Sequence, residues 1–154
     1  MTPKEKSRTK RRSKESVRTW LRLLSCETAI EQLLRSRFRT KFSVTLPQFD
    51  VLSELERAGE PLTMSQLSRE LMVSNGNVTG VIDRLEKNGL VARNRAEHDR
   101  RIQYIELTSQ GRKDFDNMAR HHAKWLEELF ADVSLNDMSE LQALLLKLRE
   151  SGSA

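Results

Sequence analysis

The sequence predicts a mainly α fold that carries one small β-hairpin. Two features predict it. Between Thr63 and Thr108, two capped apolar-periodic helices are followed by two alternating segments with a charged turn between them. On both sides of that region, apolar residues recur at helical spacing over long stretches.

The elements follow in chain order. Val17, Trp20, Leu21, Leu24, Ile30, Leu33, Leu34 and Phe38 mark a long first helix, and Leu23 and Ala29 widen its apolar face. A second helix runs from about Leu46 to Ala58. Thr45 and Gln48 have the spacing of a capping box, Pro47 is tolerated in the first turn, and Gly59 ends the helix. Thr63 and Gln66 repeat the capping-box spacing, and Met64, Leu67 and Leu71 make the apolar face of a short third helix. Val73-Ser74-Asn75-Gly76 breaks that pattern, and Ser74 can cap the next helix. Val78, Val81, Ile82 and Leu85 give the fourth helix one stripe, closed by Asn88-Gly89.

Leu90 to Arg95 and Arg101 to Leu107 alternate as strands, with Ile102, Ile105, Leu107 and, more weakly, Tyr104 as the apolar set. The turn between them is Ala96-Glu97-His98-Asp99-Arg100. After Gly111, residues Phe115, Met118, Ala119, His122, Leu126, Leu129 and Phe130 form a stripe at i, i+3/i+4. Ser134 opens a last helix bearing Leu135, Met138, Leu141, Leu144, Leu145 and Leu148. The first and last helices have more apolar face than a small hairpin domain can cover, and a dimer core is the natural use for it.

Helix, tight turn, helix and hairpin is the order of a winged helix-turn-helix, which sets one helix in a DNA groove and a loop in the next. A three-helix core with a hairpin would have the same periodicity. The residue types argue for DNA. Ser74, Asn75, Asn77 and Thr79 crowd the start of the fourth helix, where short polar side chains suit base edges and phosphates. The hairpin carries Arg93, Arg95, Arg100 and Arg101.

The formal net charge of +5 is a property of one end. Residues 1–14 hold seven Lys/Arg and one Glu, which leaves 20 basic and 21 acidic residues in the rest. This segment has no apolar anchor beyond Met1 and is expected to be a disordered basic tail. It is either an arm that adds DNA affinity by counterion release or a solubilising tail. No apolar run approaches the length of a membrane span, and no apolar stretch follows the basic start as in a secretory signal. One cysteine, Cys26, cannot form a disulfide framework. These features fit a bacterial cytoplasm.

An enzyme is not expected. His98 is in the hairpin turn, and His121 and His122 are adjacent on a helix, so they cannot pair as i, i+4 metal ligands. No HExxH, glycine-rich phosphate loop or nucleophile elbow is present, and no cofactor is implied.

The run GNVTGVIDRLEKNGLV, followed by DRRIQYIELTSQG, resembles the multiple antibiotic resistance regulator (MarR) family. Asp99-Arg100-Arg101 looks like that family's wing signature, and the likeness extends over roughly Val17 to Arg149. The resemblance implies an obligate homodimer with interleaved first and last helices, reading a pseudo-palindrome in duplex DNA. It implies a ligand- or oxidant-responsive regulator, most often a repressor. The domain plan is then a tail over 1–14 and one winged-helix domain over 15–154. Within it, 45–108 is the DNA-binding lobe, and 15–44 and 109–150 are dimerisation helices. The expected DNA-binding set is Ser65, Ser74, Asn75, Asn77, Val78, Thr79, Arg84, Arg95, Asp99 and Arg101. By resemblance, Arg101 enters the minor groove and Asp99 orients it.

In the family, effectors lie between the dimer helices and the winged lobe. Here that pocket would draw on Trp20, Leu24, Phe38, Phe42, Phe49 and Phe115, each of which also reads as ordinary core. Arg35, Arg37, Arg39 and Lys41 form a basic run at the end of the first helix. It is either a solvated helix end, favoured by the helix dipole, or an anion site beside an apolar pocket. An anion site would suit an aromatic acid or an aromatic acyl-coenzyme A thioester. Cys26 offers a rival switch, because part of the family senses peroxide through a first-helix cysteine. That subfamily sets tyrosines around the sulfur, and this chain has only Tyr104, in the wing. A winged-helix protein-interaction module is a third reading.

Overall fold

A computed structural model describes residues 3–71 and 75–153, with residues 75 and 76 described by backbone alone. Helix α1 (Pro3–Phe42) is 40 residues long, or about 60 Å at 1.5 Å per residue. Only Leu34 and Phe38 on it are buried. Its start differs from the disorder expected for residues 1–14. Lys, Arg and Glu have good helix propensity, and Pro3 sits at the first helical position, where a missing N–H costs nothing. Every described residue of that segment is exposed, so propensity alone shapes it there.

Ser43, in the left-handed region at φ 54°, turns the chain out of α1. Helix α2 (Leu46–Ala58) then starts at a full capping box. Thr45 Oγ1 accepts the Gln48 N–H at 3.3 Å, and Gln48 Oε1 accepts the Thr45 N–H at 3.0 Å. Gln48 is buried by this exchange, beside Phe49, Val51, Leu52 and Leu55. Strand β1 (Leu62–Thr63) was not legible, because two residues cannot display an alternation. Helix α3 (Met64–Glu70) has its own capping box from Thr63 and Gln66.

Helix α4 (Asn75–Lys87) buries Val78, Ile82 and Leu85. Gly89, at φ 74°, lets the chain reverse into β2 (Val91–Arg95), which pairs antiparallel with β3 (Gln103–Leu107). The sheet order is β1-β3-β2, with Leu62 opposite Ile105 and Val91 opposite Leu107. Phe38, Leu52, Leu67, Ile82, Leu85 and Ile105 are fully buried and form the centre of this lobe.

Helix α5 (Ser109–Leu129) is locked to the lobe at its first turn. Thr108 Oγ1 donates to Gly89 O at 2.6 Å and accepts the Gly111 N–H at 2.9 Å, while Thr108 N–H donates to Leu90 O at 3.1 Å. A Cβ at position 111 would lie 1.9 Å from the Leu90 carbonyl oxygen, so only glycine fits.

The chain divides into two compact units between Met118 and Ala119, within α5. The second unit holds the end of α5 and α6 (Leu135–Gly152), whose N-cap Ser134 Oγ accepts the Asp137 N–H at 3.1 Å. No described residue of α6 is buried, and Leu135, Leu141, Leu144, Leu145, Leu146 and Leu148 are exposed. On α1, Val17, Trp20, Leu21 and Leu24 are exposed as well. No described helix is long and apolar enough to cross a membrane.

Candidate nucleic-acid interface

Helix α4 presents three faces, set by its 3.6-residue period. Val78, Ile82 and Leu85 enter the core. Asn77, Gly80, Val81 and Arg84 line one side. Asp83 and Glu86 meet the wing strand on another, and Thr79 stands one turn before Asp83. Asn77, Thr79 and Arg84 are exposed, as DNA contacts require. Val78 is a correction to the expected set. It is 1% exposed and packs in the core, because it belongs to the stripe that holds the helix down. Ser74 lies outside the described residues, as does the side chain of Asn75.

At the wing, Asp99 and Arg101 form a forked pair. Arg101 Nε donates to Asp99 Oδ1 and Nη2 to Oδ2, both at 3.1 Å, and the Arg101 backbone N–H donates to Oδ1 at 3.0 Å. These bonds draw the Asp99 carboxyl below its ordinary range and raise the Arg101 guanidinium. The Arg101 side chain is still 90% exposed, so the pair aims a charge outward rather than burying it. Ser65, on the first turn of α3, shares a concavity of about 270 Å³ with Arg101. Arg95 and Arg100 are exposed. Arg93 differs from the other wing arginines: it turns back to Asp83 and Glu86 of α4.

A second concavity lies along one side of α4. Arg35 and Arg39 of α1, residues 44–48 at the start of α2, and Asn77, Gly80, Val81 and Arg84 of α4 line an open concavity of about 480 Å³. Three guanidinium-bearing residues thus line a space that Val44, Leu46, Pro47 and Val81 also line.

A family model described as MarR family matches residues 42–102, which run from the end of α1 to the wing. The crystal structure of a MarR family transcriptional regulator from Silicibacter pomeroyi is 31% identical. It has a TM-score of 0.78 over 91% of this chain and 96% of that one. The chain belongs to the MarR family. Among sequence relatives, the HTH-type transcriptional regulator PecS of Dickeya dadantii is 32% identical over 108 residues. The match covers 69% of this chain and 65% of PecS, so this chain spans slightly less than two thirds of that relative. FabT of Streptococcus pneumoniae, solved in complex with DNA, is 25% identical, with a TM-score of 0.74 over 90% of this chain and 97% of that chain. PecS and the Silicibacter pomeroyi protein are both named as transcriptional regulators. The protein is a transcriptional regulator with a DNA-binding winged-helix fold.

Within this MarR-family frame, the expected effector residues separate into groups. Phe38 lies 4.4 Å from Phe49 and 6.2 Å from Phe42 by ring centroid, and Phe49 stacks on Phe115 at 5.7 Å. These rings are a packed cluster. Trp20 and Leu24 stand on the exposed part of the same helix, and Trp20 is about 27 Å along the axis from Phe38. One chain therefore does not bring Trp20 and Phe38 around a single small ring. Arg35 and Arg39 share the cavity, whereas Arg37, two residues away from each, does not line it. Arg35 is also paired with Glu31. The polar cavity residues that sequence reasoning missed for this role are Thr45, Gln48, Asn77 and Arg84, beside Val44, Leu46, Pro47, Gly80 and Val81. The i, i+7 spacing of Asn77 and Arg84 was the available signal, but nothing in the sequence says which helix faces theirs. Cys26 is exposed, in a groove along α1 with Lys14, Arg18 and Arg22. Among the described residues, no group of three His, Cys, Asp or Glu side chains could hold a metal ion.

Proposed function

We propose that this MarR-family protein is a homodimeric, ligand-responsive repressor that an anionic aromatic effector releases from a pseudo-palindromic operator. The DNA contacts are Asn77 and Thr79 in the major groove, Arg84 on a phosphate, and Arg101 in the minor groove, with Ser65 and Arg95 beside them. The exposed apolar faces of α1 and α6 support a second copy as their cover. A duplex-DNA partner supports a cytoplasmic location.

One observation carries the effector reading: α4 supplies both the exposed polar residues and one wall of the arginine-lined cavity. A volume of about 480 Å³ lies in the range of small-molecule sites. Three arginines suit a carboxylate or the phosphates of a coenzyme A thioester, and the apolar lining suits a ring. An anion drawn to Arg35, Arg39 and Arg84 together takes Arg84 from its phosphate and shifts α4 against α1. It favours the DNA-free arrangement because only there is Arg84 available to it.

The test is operator release by aromatic acids and their coenzyme A thioesters, in wild type and in Arg35→Gln/Arg39→Gln. Wild type should release, and the double variant should need at least tenfold more ligand. Equal sensitivity in both removes the cavity from the account. Failure of every aromatic anion, with release by peroxide that Cys26→Ser abolishes, replaces it with the redox switch.

A further inference from the structure

The wing strand carries an arginine that does not point to solvent. Val91 and Arg93 share one face of β2 by strand alternation, and both are covered: Val91 is buried, and the Arg93 side chain is only 19% exposed. On the neighbouring register, Asn94 Nδ2 bonds across the hairpin to Glu106 at 2.8 Å. Arg93 Nη2 donates to Asp83, and its Nε lies 3.7 Å from Glu86 Oε1. That Nε is buried without a hydrogen bond. Asp83 and Glu86 are i, i+3 neighbours on α4, so one guanidinium fork addresses two carboxylates on the same face of that helix.

Two carboxylates are an unexpected load on a helix that approaches phosphates. Unneutralised, they would repel DNA whatever its sequence. Paired with Arg93, they join the wing to α4, while their own side chains stay 59% and 45% exposed. The joint sets the rotation of α4 about its own axis relative to the hairpin that carries Arg101.

We propose that Arg93 is a positioning residue for sequence recognition and not a DNA contact. It holds α4, with its exposed Asn77 and Thr79, and the Arg101 wing in one register. The inference rests on the reading of α4 as the recognition helix.

The experiment uses the full chain and two duplexes, one enriched from a randomised pool by the wild type and one scrambled. Arg93→Ala should lower the ratio of their affinities roughly tenfold, the size of coupling seen between contacting charged residues. Both affinities should also fall, because two carboxylates lose their neutralising partner, but the slope of log affinity against log salt should not drop by the roughly 0.9 expected for a lost phosphate contact. Arg93→Lys should recover only part of the ratio, since an ammonium lacks the planar fork. Asp83→Asn/Glu86→Gln leaves Arg93 in place and should also lower the ratio, so it decides the matter if Arg93→Ala melts early. A slope that falls by about 0.9 in Arg93→Ala, with equal loss on both duplexes, makes Arg93 a phosphate contact and overturns the proposal. An affinity ratio untouched by either variant also overturns it. A wild type that enriches no sequence overturns the reading of α4 itself and this inference with it, before any variant is compared.

Discussion

Asp99 grips Arg101 through both carboxylate oxygens at 3.1 Å while leaving the guanidinium 90% exposed. The pair is two residues apart on a tight turn, so ordering it closes almost no loop. Its role is to fix the direction of a charge. Arg101→Ala should weaken operator binding by at least tenfold and leave the melting temperature unchanged. Asp99→Asn should weaken it less, because the arginine remains but is free to wander. Asp99 is held below its ordinary value of 3.8, so the pairing is present above that value and lost as pH falls through the lowered one. Operator affinity should therefore carry no contribution from Asp99 titration between about pH 5 and 8. Fluorescence anisotropy on a labelled duplex reads all three outcomes, and wild-type affinity in Arg101→Ala would remove the wing from the interface.

Gly111→Ala should be among the most damaging single changes in the lobe. The new methyl would sit 1.9 Å from the Leu90 carbonyl oxygen, where the other atom is backbone and cannot swing aside. We expect a loss of about 2–3 kcal/mol or more, in line with overpacking of a closed contact. Thermal unfolding of the variant checks this. By contrast, Gly80→Ala meets nothing within 4 Å and should be neutral or slightly stabilising, through helix propensity.

Burial lowers the His122 imidazole from its ordinary value of 6.5. The unfolded chain then takes up the proton more readily than the folded one. Stability from this group is full above about pH 6.5 and is lost as pH falls from there toward the lowered folded value. The melting temperature of the wild type should drop between pH 7.5 and 5.5, and His122→Gln should drop less. Parallel curves would remove His122 from the pH response.

The helices were legible because their caps and stripes are local. Thr45 with Gln48, Thr63 with Gln66, and Ser134 each stand where the chain begins to coil. The wing was legible for the same reason, whereas the Asp99–Arg101 pair was expected only from the family resemblance. What failed to show is what depends on elements far apart in sequence. The two-residue β1 exists only because β3 offers it a partner. Arg93 reads as one more wing charge until Asp83 and Glu86 are placed beside it. Val78 satisfies both a recognition-helix position and a core stripe, and packing decides for the core. Trp20 and Phe38 share a helix and an apolar character, yet the length of α1 keeps them apart.

The exposed leucines of α6 give the proposed homodimer a test of its own. Leu145 is 40% exposed in the single chain. If α6 stays in water, Leu145→Asp is a surface change worth less than about 0.5 kcal/mol. If a second copy covers it, the change buries an unpaired charge and costs about 3 kcal/mol or more. Sedimentation at micromolar concentration should find a wild-type dimer and a variant shifted to monomer. A folded wild-type monomer at that concentration contradicts the dimer.

The central claim is that two copies of α4 read DNA together, and selection from a randomised duplex pool tests it most directly. Two recognition helices on one dimer must engage successive major grooves, so their half-sites are spaced by about one turn, roughly 10 bp. The wild type should enrich an inverted repeat with that spacing, and Asn77→Ala/Thr79→Ala should enrich it weakly or not at all. Salt-sensitive binding that enriches no sequence, or an enriched motif identical in the wild type and the double variant, would contradict the account.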